Sequence, residues 1–190
     1  MLSEIGKAQA EMRYSFRSAS IGQLYAGALW LSSAAMWVLV GTGAGVLVLL
    51  IGGVFIYPVT ALVSRSLGNP GSVSRDNPLR EASVTIPIVG ALGIPVAGAA
   101  ALYDIDWFYP AFMVVMGAHY LPFSHLYGMR IFVPLGVGMW LLGSSIALWV
   151  PEAAAAGGAI SGVALVLVGI RAAFDYQQEF GRGSSAESPD

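Results

Sequence analysis

The stretch "GTGAGVLVLLIGGVFIYPVTALVSR", from Gly41 to Arg65, decides the class of fold. It carries no charged side chain before its final arginine, and a helix needs about 20 apolar residues to cross a bilayer. Its first residues include three glycines around Thr42 and Ala44, which favour a tight turn. The stretch therefore predicts one transmembrane helix near 44–64, entered through a glycine-rich turn.

The composition extends this prediction to the whole chain. Of the 190 residues, 56% are hydrophobic and 11% are charged, whereas an average soluble domain has about 45–50% and about 25%. Turn signals divide the apolar sequence into six segments long enough to span a membrane. The predicted fold class is an all-α integral membrane bundle of six transmembrane helices with an N-terminal amphipathic segment. The spans are predicted near 21–41, 44–64, 81–102, 107–127, 130–150 and 155–177.

Several classes of site and partner are excluded by composition. The chain has no cysteine, which excludes disulfides, cysteine-based metal sites and thiol nucleophiles. Its net charge is -2 and it has no block of basic residues, so a nucleic-acid partner is not expected. The expected partners are the lipid bilayer and a small-molecule or lipid ligand.

The opening "MLSEIGKAQAEMRYSFRS" predicts an amphipathic helix on the cytoplasmic membrane surface. It is polar and carries both signs of charge, unlike a signal peptide, so the first span is expected to be a retained anchor. Ser3 is placed to cap the helix. A frayed tail is the alternative that this pattern leaves open. The apolar side of the helix is predicted to contain Leu2, Ile5, Met12 and Phe16.

The basic residues predict the orientation of the chain. Cytoplasmic loops carry the excess of Lys and Arg, and all nine such residues fall before the first span, after alternate spans or near the C-terminus. Both termini are therefore predicted to be cytoplasmic, in a multi-pass protein of the cell (inner) membrane. The small, polar ending "EFGRGSSAESPD" predicts disorder. The predicted divisions are a cytoplasmic amphipathic segment at 1–18, a six-helix transmembrane domain at 19–178 and a disordered cytoplasmic tail at 179–190.

The one substantial loop lies between the second and third spans. Within it, Asn77, Pro78 and Glu81 occupy the positions of a helix cap, a first helical residue and a first-turn acid. Asn77 and Arg80 face the same side of the membrane as Arg130. These three residues are accessory candidates for a binding site.

The stretch "VVMGAHYLPFSHLYGMRIF", Val114 to Phe132, contains both histidines. With a rise of about 1.5 Å per residue, His119 lies roughly 18 Å into a hydrocarbon core about 30 Å thick. A histidine at that depth should face other helices or a wet cavity. The alternative is that His119 forms a hydrogen bond that only holds helices together. His125 is expected near the cytoplasmic surface.

Helical phase separates the two histidines. At about 100° per residue, His125 lies about 120° from His119, and an i to i+6 spacing does not suit a metal site on one helix. No metal and no cofactor are therefore expected. Pro122 removes the hydrogen bond to the Ala118 carbonyl, which favours a polar pocket beside His119. Gly117 permits close approach of a neighbouring helix.

These observations predict a polar pocket in the inner half of the bundle. No G-x-S-x-G elbow or orienting acid is evident, so no catalytic residue is assigned. The ligand-binding candidates are His119, Tyr120, Ser124, Tyr127 and Tyr57.

Three short motifs carry a resemblance to known proteins. They are "GAHYLPFSHLY" from Gly117 to Tyr127, "NPL" from Asn77 to Leu79, and "YP" at Tyr57 and Pro58. In order and spacing the sequence resembles a family of small bacterial multi-pass membrane proteins of unknown function that share a Gly-Ala-His-x-Leu-Pro motif. The resemblance implies a membrane protein and draws attention to the histidine of the motif. It implies no reaction.

The sequence supports three hypotheses for function. The first is a small transporter or binding protein for a small molecule, ion or lipid headgroup. The second is an intramembrane enzyme acting on a lipid substrate, and the third is a structural subunit of a membrane complex. A cavity reaching His119 would favour the first, and a catalytic group within hydrogen-bond reach of His119 would favour the second.

Overall fold

A computed structural model describes residues 3–181, and these residues form an all-α structure without strands. Each of the six predicted spans is helical, although the second and the third are each divided into two helices. Short 3₁₀ turns lie at 17–19, 105–107 and 151–153. The helices are α1 (Glu4–Ser15), α2 (Ser20–Leu39), α3 (Thr42–Val54), α4 (Ile56–Ser66), α5 (Arg80–Leu92), α6 (Ile94–Tyr103), α7 (Phe108–Tyr127), α8 (Phe132–Trp149) and α9 (Ala154–Phe180).

Three helical stretches among the described residues are long and apolar enough to cross a membrane. They are Arg80–Tyr103, Phe132–Trp149 and Pro151–Phe180, and the pair α3 and α4, bent by 49°, makes a fourth if it counts as one span. The helices α2 and α7 are long enough, with 20 residues each. They are not apolar enough to be counted with these stretches. Polar residues such as Gln23 on α2 lower the mean hydropathy of these helices. The three or four apolar stretches are compatible with a membrane protein. The total of six spans stays a prediction.

Close helix packing rests on glycine. A Cβ atom at Gly117 would lie 2.6 Å from the backbone oxygen of Gly136, and a Cβ atom at Gly136 would lie 2.6 Å from that of Gly117. Because both contacts are with backbone, neither position accommodates a side chain without moving α7 or α8. This reciprocal contact confirms the expectation that Gly117 permits close approach of a neighbouring helix.

The N-terminal helix α1 packs across one end of the bundle. Ser3 caps it, accepting a hydrogen bond from the backbone N–H of Gly6 at 3.1 Å, so a helix and not a frayed tail begins at the predicted cap. Its buried side contains Ala8 and Met12, the latter 1% exposed. Of the apolar side that the sequence predicted, Met12 and Phe16 are buried against the protein, whereas Ile5 is 41% exposed. Leu2, assigned to that apolar side, lies outside the described residues.

The last helix is longer than predicted. It ends at Phe180, so Glu179, which was placed in the disordered tail, is helical. Its carboxylate accepts two hydrogen bonds from Arg13, which attach the end of α9 to α1. The remainder of the predicted tail, 182–190, lies outside the described residues.

Candidate functional site

A cavity of about 140 Å³ lies between α1, α2, α4, α5 and α7. Most of its lining is apolar, and its polar groups come from four different helices. Because sequence-distant residues converge here, the cavity depends on the assembled fold. Its polar and aromatic lining residues are Phe16, Gln23, Tyr57, Thr60, Ser83, His119, Tyr120, Phe123 and Tyr127.

Four of the five predicted ligand-binding residues line this cavity: His119, Tyr120, Tyr127 and Tyr57. The ring centroids of His119 and Tyr120 are 5.5 Å apart. The centroid of Phe123 lies 5.0 Å from that of His119 and 5.8 Å from that of Tyr127. One wall of the cavity is thus a continuous row of rings along α7, while Tyr57 approaches from α4.

Ser124 is not brought to the cavity. Its hydroxyl donates to the Leu121 carbonyl of its own helix at 2.8 Å, which satisfies the group locally. Pro122 is exposed and does not line the cavity either. His125 is exposed as well, in agreement with the phase argument that separated it from His119.

The accessory candidates lie elsewhere. Asn77 donates to the Ala8 carbonyl at 3.1 Å and to the Glu11 carboxylate at 2.8 Å. It therefore attaches the loop before α5 to α1. Its oxygen accepts from the N–H of Leu79, and α5 begins only at Arg80, so Asn77 is not the helix cap that the sequence predicted. Arg80 is exposed. Arg130 borders a separate surface depression, together with Arg171 and Asp175.

Sequence reasoning missed Gln23, which lines the cavity from α2. Its side chain is 3% exposed, and its Oε1 atom is buried with no hydrogen-bond partner among the residues that the structure describes. An unpaired buried amide group costs about 1–3 kcal/mol. The available signal was the position of a glutamine close to the start of a mainly apolar span.

His119 presents a second unpaired group. Its Nδ1 atom is buried and has no hydrogen-bond partner within residues 3–181. The ring lies against Gly90 of α5, where a Cβ atom would be 2.7 Å from Nδ1 and 2.9 Å from Cε1. The absence of a side chain at Gly90 therefore makes room for the imidazole between α5 and α7.

The N-terminal helix closes one end of the cavity. Met12 of α1 lines it, and so do Phe16 and Ala19 in the segment that follows. Three successive residues, Arg17, Ser18 and Ala19, have φ angles of 49°, 56° and 62°. Residues with a Cβ atom seldom adopt this left-handed conformation. The strained turn brings α1 back over the end of the bundle.

Polar contacts of Arg13 hold α1 in this position. Its guanidinium donates two hydrogen bonds of 2.7 Å to the carboxylate of Glu179 on α9. It also donates to the carbonyl of Tyr127 at 2.7 Å, while Gln9 donates to the carbonyl of His125 at 2.6 Å. These carbonyls are free at the C-terminus of α7, where a cation is favoured. One side chain thus joins α1 to two other helices.

Glu11 forms a second attachment on the other side of α1. Its carboxylate accepts from the backbone N–H of Ser74 at 2.5 Å, from the Ser74 hydroxyl at 3.1 Å and from Asn77. Partial burial raises the pKa of Glu11, but these hydrogen bonds outweigh it and hold that pKa below the ordinary value of 4.5. The attachment is therefore complete when the carboxylate is ionised.

No Lys, Arg, Asp or Glu lines the cavity in the described part of the chain. The cavity can therefore bind a ligand through hydrogen bonds and through packing against aromatic rings. Among residues 3–181 no group of three His, Asp or Glu side chains is arranged to hold a metal ion.

A family model matches most of the chain. No curated protein matches the chain, and no solved structure matches it. A family model described as a family of unknown function (DUF7010) matches residues 5–174, which include every residue that lines the cavity. The expected kinship with an uncharacterised family is thereby confirmed, whereas the family description mentions neither a membrane nor the motif. The chain belongs to this family of unknown function (DUF7010).

Proposed function

We propose that this protein is a six-span transporter or binding protein of the inner membrane that holds a small molecule in the cavity beside His119. The observation that carries the proposal is the cavity itself, a space of about 140 Å³. Polar side chains from four helices line it, Gln23 and His119 among them, and its described lining includes no Lys, Arg, Asp or Glu. A bound molecule would pair with the polar groups that reach this space.

The proposed six-span arrangement is supported by the positions of the helices and by the distribution of basic residues. All six apolar segments are helical, and four of them meet or jointly meet the length and hydropathy that a span requires. The basic residues fall only in alternate connections, at the ends of the chain and, for Arg171, in the second half of the last helix. Under the positive-inside rule both termini are cytoplasmic. The end of the cavity that α1 closes would then face the cytoplasm.

The geometry favours binding or transport over catalysis. A nucleophile paired with His119 would lie within hydrogen-bond reach of its ring, but the buried Nδ1 atom has no such partner in the described structure. It also favours binding over a purely structural role. A histidine that only held helices together would be enclosed by protein on every side, whereas His119 packs against Gly90 and also borders the cavity.

Transport needs a second state in which the cavity opens, and α1 is the element suited to move. It reaches the bundle end through the strained turn at 17–19, and polar side chains exposed at their edges hold it there. The pair formed by Arg13 and Glu179 is 18% and 36% exposed. Release of this pair would uncover Met12 and open the cavity to the cytoplasm.

The test uses the full chain in lipid nanodiscs and a library of small uncharged molecules. Compounds that raise the melting temperature of the wild type are measured again on His119→Ala and on His125→Ala. His125 is a matched control because its side chain is exposed and does not line the cavity. We expect stabilisation to be lost in His119→Ala and kept in His125→Ala. Equal stabilisation of both variants, or no stabilising compound for the wild type, would contradict the proposal.

A further inference from the structure

A surface depression at the end of α7 brings two arginines together. It lies between the connection from α7 to α8 and one side of α9. Its lining residues are Gly128, Met129, Arg130, Ile131, Arg171 and Asp175. The two arginines are distant in sequence, so the depression depends on the packing of α9 beside the other two helices.

The depression has an excess of positive charge. Nε of Arg171 lies 3.0 Å from Oδ1 of Asp175, one turn later on α9. Arg130 takes part in no ion pair in the described part of the chain. One carboxylate therefore faces two guanidinium groups, and both arginines are exposed. Guanidinium groups present planar sets of N–H donors that match the oxygens of phosphate.

Both arginines lie at the level expected for lipid phosphates. At a rise of about 1.5 Å per residue, Arg171 is about 25 Å from the start of α9, and the hydrocarbon core of a bilayer is about 30 Å thick. Arg130 lies just before the start of α8, whose 18 residues lead to the same connection at 151–153. The two arginines are thus each about one membrane thickness from that connection. In the proposed orientation they lie at the cytoplasmic surface.

Exposed apolar side chains continue from the depression toward the middle of the predicted spans. Their spacing of three or four residues places each set on one side of its helix. They are Leu167, Val163 and Ile160 on α9, and Val133 and Val137 on α8. A soluble anion would contact the arginines alone. A lipid uses both parts of this surface, because its headgroup meets the arginines while its chains cover the apolar residues.

We propose that the depression binds the headgroup of an anionic phospholipid of the cytoplasmic leaflet, with its phosphate at Arg130 and Arg171 and its acyl chains along α8 and α9. Basic pockets between helices on this side of a membrane suit anionic headgroups. The depression shares no lining residue with the cavity beside His119. Of the proposed function, the inference requires only that α8 and α9 cross the bilayer.

Lipid titration of the full chain in a neutral detergent, followed by native mass spectrometry, tests the proposal. Three lipids with the same acyl chains are compared: anionic phosphatidylglycerol, zwitterionic phosphatidylcholine, and diacylglycerol, which has no phosphate. Glycerol 3-phosphate supplies the anion without the chains. We expect saturable binding of phosphatidylglycerol, about five-fold weaker binding of phosphatidylcholine, and still weaker binding of diacylglycerol. Glycerol 3-phosphate at the same concentration should not displace phosphatidylglycerol.

The variants Arg130→Gln and Arg171→Gln assign the binding to the depression. Each should weaken phosphatidylglycerol binding about five-fold, as expected for the loss of one arginine at a membrane surface. Arg75→Gln is the matched control, because Arg75 is exposed in the loop between α4 and α5 and does not line the depression. It should bind like the wild type. The fold should tolerate these changes, since Arg130 is unpaired in the described residues and the pair of Arg171 with Asp175 is exposed.

Four results would overturn the lipid site. They are equal affinity for phosphatidylglycerol and phosphatidylcholine, unchanged affinity in both depression variants, an equal loss in Arg75→Gln, and displacement of the lipid by glycerol 3-phosphate. The last result would identify a soluble phosphate compound as the ligand. Each of them leaves the cavity proposal standing, because that proposal is tested with uncharged compounds and with His119→Ala.

Discussion

A Cβ atom at Gly90 would lie 2.7 Å from Nδ1 of His119, so the imidazole occupies space that only glycine leaves free. The two residues belong to α5 and α7, which are separated in sequence by α6. The position of the His119 ring between α5 and α7 thus depends on the absence of a side chain on another helix.

The variant Gly90→Ala should displace the His119 ring. Overpacking costs about 1–3 kcal/mol, while alanine recovers about 0.5–1 kcal/mol of helix propensity. We expect a net loss of stability and a shift of the His119 imidazole signals, measured by thermal unfolding and NMR. Gly98→Ala on α6 is the matched control, since a Cβ atom there has nothing within 4 Å. Unchanged His119 signals in Gly90→Ala would contradict the contact.

The variant Gly117→Ala should destabilise the pair α7 and α8. Its Cβ atom would lie 2.6 Å from the Gly136 carbonyl oxygen and 2.7 Å from the Trp140 nitrogen. Both are backbone atoms, so the helices must separate, at about 3 kcal/mol or more. In Gly138→Ala, on α8, the added methyl meets nothing within 4 Å, and no loss is expected. Similar melting temperatures for the two variants would show that the helices do not pack as described.

The variants Arg13→Ala and Glu179→Gln should loosen α1. Each removes charge-assisted hydrogen bonds that contribute about 1.5–3 kcal/mol, and their double mutant should show that the effects are coupled. Hydrogen exchange of the α1 amides should accelerate while that of α8 stays unchanged. The pair formed by Arg171 and Asp175 is the control. It is an exposed i, i+4 pair, expected to contribute about 0.3–0.5 kcal/mol.

Attachment of α1 through Glu11 should weaken in acid. Hydrogen bonds hold the folded-state pKa of Glu11 below 4.5, so its contribution to stability is present above the unfolded-state pKa and is lost as the pH falls through the folded-state value. In Glu11→Gln the α1 amides should exchange faster than in the wild type at pH 7. This difference should shrink progressively below about pH 4.5. A difference that is independent of pH would show that ionisation of Glu11 is not what matters.

The six-span arrangement can be mapped with single cysteines because the chain has none of its own. The variants Asp104→Cys and Glu152→Cys replace exposed residues in the connections proposed to lie outside. Both should react with a membrane-impermeant maleimide on intact cells. Arg75→Cys, in the loop proposed to be cytoplasmic, should react only after permeabilisation. Labelling of Arg75→Cys in intact cells would overturn the orientation.

The all-α class and the approximate positions of the helices could be predicted from the sequence, because apolar runs and turn residues determine local structure. The bends have local causes as well, although the apolar runs by themselves predict single spans. Pro58 has no N–H to donate to the carbonyl of Val54, where α3 ends. Pro95 lies in the first turn of α6, directly after the break at Gly93.

The lining of the candidate site was predictable in part. The depth of His119 and the Pro122 kink directed attention to α7, whose residues His119, Tyr120 and Tyr127 line the cavity. These signals give no information about the opposite wall, so Gln23 was missed. Ser124 lies one helical turn from Tyr120, but a serine hydroxyl readily bonds to its own helix, as it does with Leu121.

The most direct test of the proposed site is a structure of the full chain in a lipid bilayer, at a resolution that distinguishes bound molecules, after incubation with a stabilising compound. The proposal predicts non-protein density larger than water in the cavity, within hydrogen-bond distance of Gln23 or His119. A collapsed cavity in which both side chains are paired with protein groups would contradict it. Density that water alone explains would contradict it as well.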